Sequence, residues 1–345
     1  MKAKISLRAS AAPLALLLAG LLLWPSVSAA QPANNTVFSG QATVVRSTIL
    51  GITTVISDTG ALPPGGGAKE ASLLEANVPG LLTAEVLHAS SVGQGQRSES
   101  EASVANLDLT VGGNNIAADF LMAVAAAQCG NNGKASISGS SEIVGLVING
   151  QQIAVTGEPN QTILLPNGRV VINEQNGSES GRTGDITVNA LHVVVDGLAD
   201  VVIASAHADI ACGKPVCPGG DFVTGGGWIT GTPSGAKGTF AVAGGIKNGA
   251  LWGHLSYIDH GRNGPRAKGT GVTAYVVTGP TSRHIEGSAE INGQPGTYVA
   301  EVADEGEPGR MDTFMLRLHD ASGALVYSAS GLLEGGNIQL HQPCK

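Results

Sequence analysis

Aromatic side chains are scarce in the first part of this chain. Between Gln31 and Cys212 only Phe38 and Phe120 occur, so that stretch must fill its core with Ala, Val, Ile and Leu. Charge is scarce as well. Only 13% of residues are Asp, Glu, Lys or Arg, and the long Glu/Lys/Arg/Leu runs that build surface helices are missing. No basic stripe exists. A chain of formal charge -8 without one is a poor nucleic-acid binder, because neutralising phosphates takes clustered Lys and Arg. Past the N-terminus no apolar run reaches the roughly 20 residues that span a bilayer. No Gly-x-Ser-x-Gly elbow sits between a strand and a helix, which argues against a serine hydrolase. The glycines of "VTGGGWI" are followed by no Lys-Ser/Thr and no helix pattern, which argues against a phosphate loop.

The N-terminus is different. Lys2, Lys4 and Arg8 precede an apolar stretch from Ala11 to Trp24, and small residues follow Pro25. This is the pattern of a secretory signal peptide over residues 1–30. Its removal takes away three positive charges and lowers the formal charge from -8 to -11. No cysteine stands just after the cleavage region, so a lipoprotein anchor is not expected. The C-terminal "GGNIQLHQPCK" is polar and carries no sorting tail. The expected location is secreted, either extracellular or in the cell envelope, with no transmembrane segment in the mature chain.

What the chain does have is glycine, 50 residues of it, and repeated alternation of apolar with polar residues. In "HIEGSAEIN", Ile285, Gly287, Ala289 and Ile291 share one face, and Glu286, Ser288 and Glu290 the other. "SVANLDLTV" alternates in the same way. Side chains alternate across a strand, so this is a sheet with one wet face. Gly112-Gly113, Asn149-Gly150, Asn167-Gly168, Asp196-Gly197 and Asn292-Gly293 break the runs and favour tight hairpins. The prediction is an all-β, mostly antiparallel protein. Only "ADFLMAVAAAQ" reads as a short helix on propensity. There is also an internal echo. "SVANLDLTVGGNNIAADFLMAVAAAQC" and "TVNALHVVVDGLADVVIASAHADIAC" share the order strand, glycine turn, Ala-Asp, strand, cysteine, as two related hairpins would.

After Cys217 aromatics become frequent: Phe222, Trp228, Phe240, Trp252, Tyr257, Tyr275, Tyr298, Phe314 and Tyr327. This change of core chemistry places a domain border at 213–220. Two consecutive antiparallel β domains are expected, 31–212 and 221–345. The first is sandwich-like, with a β-helix as the alternative. The second is a meander closed as a barrel or compact sandwich, its last strand "GNIQLH" near its first, "FVTGGGWI".

The four cysteines are Cys129, Cys212, Cys217 and Cys344. An even number in an exported chain suggests disulfides. The simplest of the three pairings gives one bridge per domain, Cys129–Cys212 and Cys217–Cys344. A zinc knuckle needs paired short spacings, and only Cys212 and Cys217 are close. The segment between them therefore reads as a joint between two disulfide-closed domains.

Candidate ligand sites fall in the second domain. "GHLSYIDHG" carries His254 and His260 on one strand face, but six positions separate them by about 20 Å. One metal cannot take both through that strand, although His284 or His319 could join one of them. His88, His192 and His207, in the alternating strands of the first domain, read as structural. Trp228, Trp252 and Tyr257, with His254 and His260, are the candidates for a carbohydrate-binding face, against aromatic core packing. In "VADEGEPGRMDTF", Asp304, Glu305, Glu307 and Asp312 surround a tight loop. Several hard oxygens there could hold Ca²⁺, against the plainer reading of an acidic hairpin loop. No other cofactor is expected.

Residues 38–212, with "ASLLEANVPGLLTAEVLHAS", "GLVINGQQIAVTGEPNQTILLPNGRVVINEQ" and "ADVVIASAHADIAC", resemble the choice-of-anchor P family of secreted bacterial proteins. The second half, with "VTGGGWI", "GHLSYIDHG", "VADEGEPGRMDTFMLRL" and "GLLEGGNIQLH", resembles the domain that often follows it, a post-choice-of-anchor domain. The resemblance implies a secreted or envelope protein and supplies no catalytic residues. The function expected from residues and resemblance together is a non-catalytic structural, adhesive or binding protein, partnered by an extracellular glycan or cell-envelope component. The alternative is an extracellular hydrolase or carbohydrate-active protein with its site in the second domain.

Overall fold

The alternating stretches form strands and their Gly and Asn breaks form the turns. The structure is a computed structural model that describes residues 35–217, 220–247 and 249–342. The expected signal peptide lies outside them. The first half contributes β1 (Val37–Ile49), β2 (Ile52–Asp58), β3 (Gly67–Val78), β4 (Leu82–Gln94), β5 (Arg97–Val111), β6 (Asn114–Cys129), β7 (Ala135–Val144), β8 (Val147–Ile148), β9 (Gln151–Gln152), β10 (Gln161–Leu165), β11 (Gly168–Ser180), β12 (Thr183–Val195) and β13 (Ala199–Ala211). The second contributes β14 (Phe222–Ile229), β15 (Gly238–Lys247), β16 (Ala250–Asp259), β17 (Arg266–Val277), β18 (Ser282–Ile291), β19 (Gln294–Ala303), β20 (Thr313–Asp320), β21 (Leu325–Leu332) and β22 (Gly335–His341). The protein is all-β and antiparallel. In β18, Ile285, Gly287, Ala289 and Ile291 are buried while Glu286, Ser288 and Glu290 are exposed, as the alternation requires. Asn292 and Gly293, both with positive φ, make the tight turn into β19.

The first half is a sandwich. A six-stranded sheet in the order β10-β11-β12-β13-β1-β2 faces a seven-stranded one, β3-β4-β5-β6-β8-β9, in which β7 also pairs with β6. Ala42, Val44, Leu87, Leu109, Leu121, Val188, Val193 and Ile203 belong to the core between them. The echoed segments are the hairpins β5–β6 and β12–β13, one in each sheet. The Cys129–Cys212 disulfide joins their ends. "ADFLMAVAAAQ", expected to be helical, lies within β6. Its Leu121, Ala123, Ala125 and Ala127 face the sandwich core, and Phe120 and Met122 face the second half. Burial on both faces overrides alanine's weak helix preference.

The second half is one nine-stranded sheet, β21-β20-β19-β18-β17-β16-β15-β14-β22. Its last strand pairs with its first, Phe222 opposite His341 through Trp228 opposite Gly335. The two edge strands, β21 and β22, are separated in sequence only by Leu333 and Glu334, so the sheet must curl to bring its edges together. The result is a half-barrel around Phe240, Tyr257, Tyr298, Phe314 and Leu316. Phe240 and Phe314 stack with centroids 3.9 Å apart.

No sheet among the described residues mixes strands from the two sides of 213–220. The connector is pinned to the first half by bridges Asn35–Lys214 and Gly95–Val216. Yet the described residues form one compact unit, because the outer face of β4 and β5 is covered by the second half. Val86–Gly93 and Ser98–Ala105 are buried without interruption, where a wet face was expected. Val86, Ala105, Phe120 and Met122 pack there against Ala241 and Ile258. Gly226 of "VTGGGWI" belongs to this seam. A Cβ on it would stand 2.5 Å from the Ser103 hydroxyl, so bare backbone lets the halves close.

Candidate functional site

The seam gathers most of the polar chemistry. Glu70 lies opposite Ser90 and Ser72 opposite His88 in the β3–β4 ladder. Glu70 and His88 are thus diagonal neighbours, within reach of each other on one sheet face. His254 on β16 comes down onto them from the other half. The ligand atoms of Glu70, His88 and His254 all lie within 4.8 Å of one another, the only such group of three among the described residues. His254 Nδ1 stands 2.8 Å from Glu70 Oε2, an ion pair across the seam, while His254 Nε2 has no partner. His88 Nδ1 meets the Ser72 hydroxyl at 3.0 Å, while its Nε2 has no partner. The His88 and His254 rings are 5.7 Å apart. Full burial pushes His88 down to about 3, helped by His254 and opposed by Glu70, so its ring is neutral at physiological pH. Burial works against the Glu70 carboxylate, but a hydrogen bond from His254 and its charge, with His88 and Lys247, hold it below its ordinary value.

Further along the same strands the seam opens into a cleft of about 230 Å³. Ala68, Lys69, Phe222, Ile246, Lys247 and Trp252 are among its lining residues. Ala68 and Trp252 each lie two residues from a member of the Glu70–His254 pair, so cleft and cluster are neighbours. Trp252 packs edge-on against Phe222 at 5.8 Å, and the Lys247 ammonium sits 5.3 Å from the centre of its ring. Lys247 also donates to the Ala68 carbonyl across the seam. The wall carrying Phe222 is fixed from behind by Asp221, which takes two 2.6 Å hydrogen bonds from buried Arg283.

The other aromatic and histidine candidates are placed differently. Tyr257 is fully buried, and its hydroxyl meets that of Tyr327 at 2.7 Å. Trp228 packs in the seam under the Lys237 ammonium, 4.6 Å from its ring. Its indole rests on Gly335, where a Cβ would come within 2.4 Å of Nε1. The bare backbone under this aromatic is thus supplied by β22. His260 joins the halves. Its Nδ1 meets Asn106 Nδ2 at 3.0 Å and its Nε2 meets the Thr239 hydroxyl at 2.8 Å. Burial lowers its pKa, with Lys237 adding to this and Glu85 and Asp259 opposing. His254 is joined by His88 and Glu70, not by His284, which pairs with Glu286 on its own strand.

The acids of the expected calcium loop turn to separate partners. Asp312 is fully buried, and its two oxygens accept the N–H groups of Glu305 at 2.8 Å and Ile338 at 2.9 Å. Asp304 accepts from Gly306 at 3.1 Å and from Leu340 at 2.8 Å. Glu305 accepts the Thr281 hydroxyl, and Glu307 accepts the amides of Asn337 and Gln339. So placed, Asp304, Glu307 and Asp312 latch the loop onto β22 and Glu305 ties it to Thr281. Burial pushes Asp312 up to about 6 despite its two backbone donors. It also pushes buried Glu101, on the facing strand β5, well up, with Glu307 and Glu99 adding to the effect.

The Cys129–Cys212 bridge is present as expected, with Cα atoms 5.6 Å apart. Cys217 is also disulfide-bonded; Cys344, its expected partner, lies outside the described residues. No helix among the described residues is long and apolar enough to cross a membrane. No family model, no curated protein and no solved structure matches this chain.

Proposed function

We propose that this chain is an exported, non-catalytic binding protein of the bacterial surface or envelope. It presents its ligand cleft at the seam of two β halves. The observation that carries this reading is the cleft itself, in which Trp252 and Phe222 stand beside Lys69 and Lys247. Concave sites that combine an apolar body with a few placed polar groups are the usual form of small-ligand sites. An aromatic ring offers a face to the C–H side of a sugar, and two ammonium groups suit carboxylate or sulfate substituents. The ligand class is therefore an acidic extracellular glycan. Export rests on the N-terminal pattern and the disulfide-bonded cysteines, and the bacterial surface on the resemblance to choice-of-anchor P proteins.

The test is a glycan array followed by calorimetric titration of the full mature chain. Acidic saccharides should bind, and Trp252→Ala should weaken the best of them by about tenfold or more, the loss expected for about 1.4 kcal/mol of contact. Trp228→Phe, away from the cleft, should bind as the wild type does. Equal binding by the wild type and Trp252→Ala would remove the cleft from the account. Turnover of a polysaccharide, peptide or ester, lost on changing His254 or His260, would replace binding with hydrolysis.

A further inference from the structure

We propose that Glu70, His88 and His254 form a binding site for one zinc-class divalent cation, which staples the two halves of the protein together. The site is independent of what the neighbouring cleft binds.

The donors come from three strands, β3, β4 and β16, and only folding brings them together. Two side-chain atoms of this cluster, His88 Nε2 and His254 Nε2, are buried with no partner, and Glu70 Oε2 and His254 Nδ1 have only each other. Buried polar atoms are nearly always partnered, and each orphan is costly. One cation would engage several of these lone pairs at once.

The donor set selects the metal. Two imidazoles and one carboxylate suit Zn²⁺, or Cu²⁺ and Ni²⁺ in competition, and do not suit Ca²⁺ or Mg²⁺, which take oxygen. A tetrahedral ion with bonds of about 2.0–2.1 Å spaces its ligands closer than the 4.8 Å limit found here. Small ring and carboxylate movements would close that gap, with water as the fourth ligand. The support around the donors is already in place. Metal bound through His88 Nε2 requires the tautomer in which Nδ1–H donates to the Ser72 hydroxyl 3.0 Å away, so that its other nitrogen orients the ring. The side chains of Glu70 and His254 keep 17% and 15% of their surface exposed, which gives an ion a route from the cleft. Lys247, whose charge bears on Glu70, is engaged by the Ala68 carbonyl.

The experiment uses the full mature chain, stripped with EDTA, dialysed and titrated with ZnCl₂. Bound metal is counted by mass spectrometry, and Co²⁺ serves as the spectroscopic probe. One zinc per chain is expected, with tetrahedral Co²⁺ absorption that zinc abolishes. Glu70→Gln and His254→Gln should each lower affinity by about tenfold or more with an unchanged circular-dichroism spectrum. Should either variant unfold, Ser72→Ala, which leaves all three donors in place, should still lower affinity by about tenfold. His192→Gln, at the pair with Glu174 on the far sheet, should bind as the wild type does. A wild-type chain that retains no zinc, or zinc held equally by the Glu70, His254 and Ser72 variants, overturns the site.

Discussion

Replacing Arg283 by Met should cost about 3 kcal/mol of stability, more than any ordinary surface change. Arg283 is 1% exposed and is the largest of the fully buried side chains among the described residues. Its guanidinium makes four hydrogen bonds. Two go to Asp221 at 2.6 Å, one to the Gly279 carbonyl at 2.9 Å and one to the Ser282 carbonyl at 2.7 Å. Methionine has similar length and no donor. It removes the partner of the Gly279 carbonyl, leaves the Ser282 carbonyl with the Thr278 and Gly279 N–H groups at 3.2 and 3.3 Å, and leaves Asp221 with the Tyr275 hydroxyl alone. Removing one partner of a buried pair costs about 3–5 kcal/mol. The lower end applies here because the Asp221 side chain keeps 23% exposure and water can repair part of the loss. Arg283→Lys keeps the charge but not the two-pronged geometry and should fall between. Urea denaturation of the four members of an Arg283→Met, Asp221→Asn cycle measures the coupling directly. A coupling of about 2 kcal/mol is expected. An Arg283→Met cost under about 1 kcal/mol, or a full cost that persists in the Asp221→Asn background, refutes the reasoning. Because Asp221 precedes Phe222 in the cleft wall, the same variant should also weaken ligand binding.

Two further outcomes follow from the same physics. Cys129→Ala with Cys212→Ala opens a loop whose ends are 83 residues apart. The chain-entropy relation gives about 4.5 kcal/mol as its upper value and about 2–4 kcal/mol as the usual yield, read as a lower urea midpoint. His341 is pushed down to about 3, chiefly by burial and secondly by Arg97, from an ordinary 6.5. Because the unfolded chain takes up this proton first, the contribution is complete above pH 6.5 and is lost as pH falls toward 3. His341→Gln should therefore reduce the stability lost between pH 6.5 and 4.5 by at most about 2.7 kcal/mol; an unchanged pH profile would contradict this.

Strands with one wet face were legible from the sequence. In β18 and in the outer part of β5, period-2 alternation survives because water meets one face. It fails in Ser98–Val104, where small and polar residues are buried on both faces; no local pattern says that a second sheet will cover them. The strand nature of "ADFLMAVAAAQ" was hidden for the same reason. The pairing of Cys129 with Cys212 was reached as the simplest one, one bridge per domain with each cysteine ending an echoed hairpin, and the facing hairpins carry it. Tyr257 and Trp252 have similar surroundings in sequence, yet their odd and even positions along β16 send one into the half-barrel and the other to the cleft. Glu70, His88 and His254 escaped because 166 residues separate the two histidines, and only the packing of one sheet on another joins them.

The most direct measurement is an anomalous difference map at the zinc edge, from crystals of the chain from residue 31 onward grown with ZnCl₂. The account predicts one strong peak bonded to Glu70, His88 and a ring nitrogen of His254, at about 2.0–2.1 Å from each. A map with no peak there, or with its strongest peak elsewhere on the chain, contradicts it.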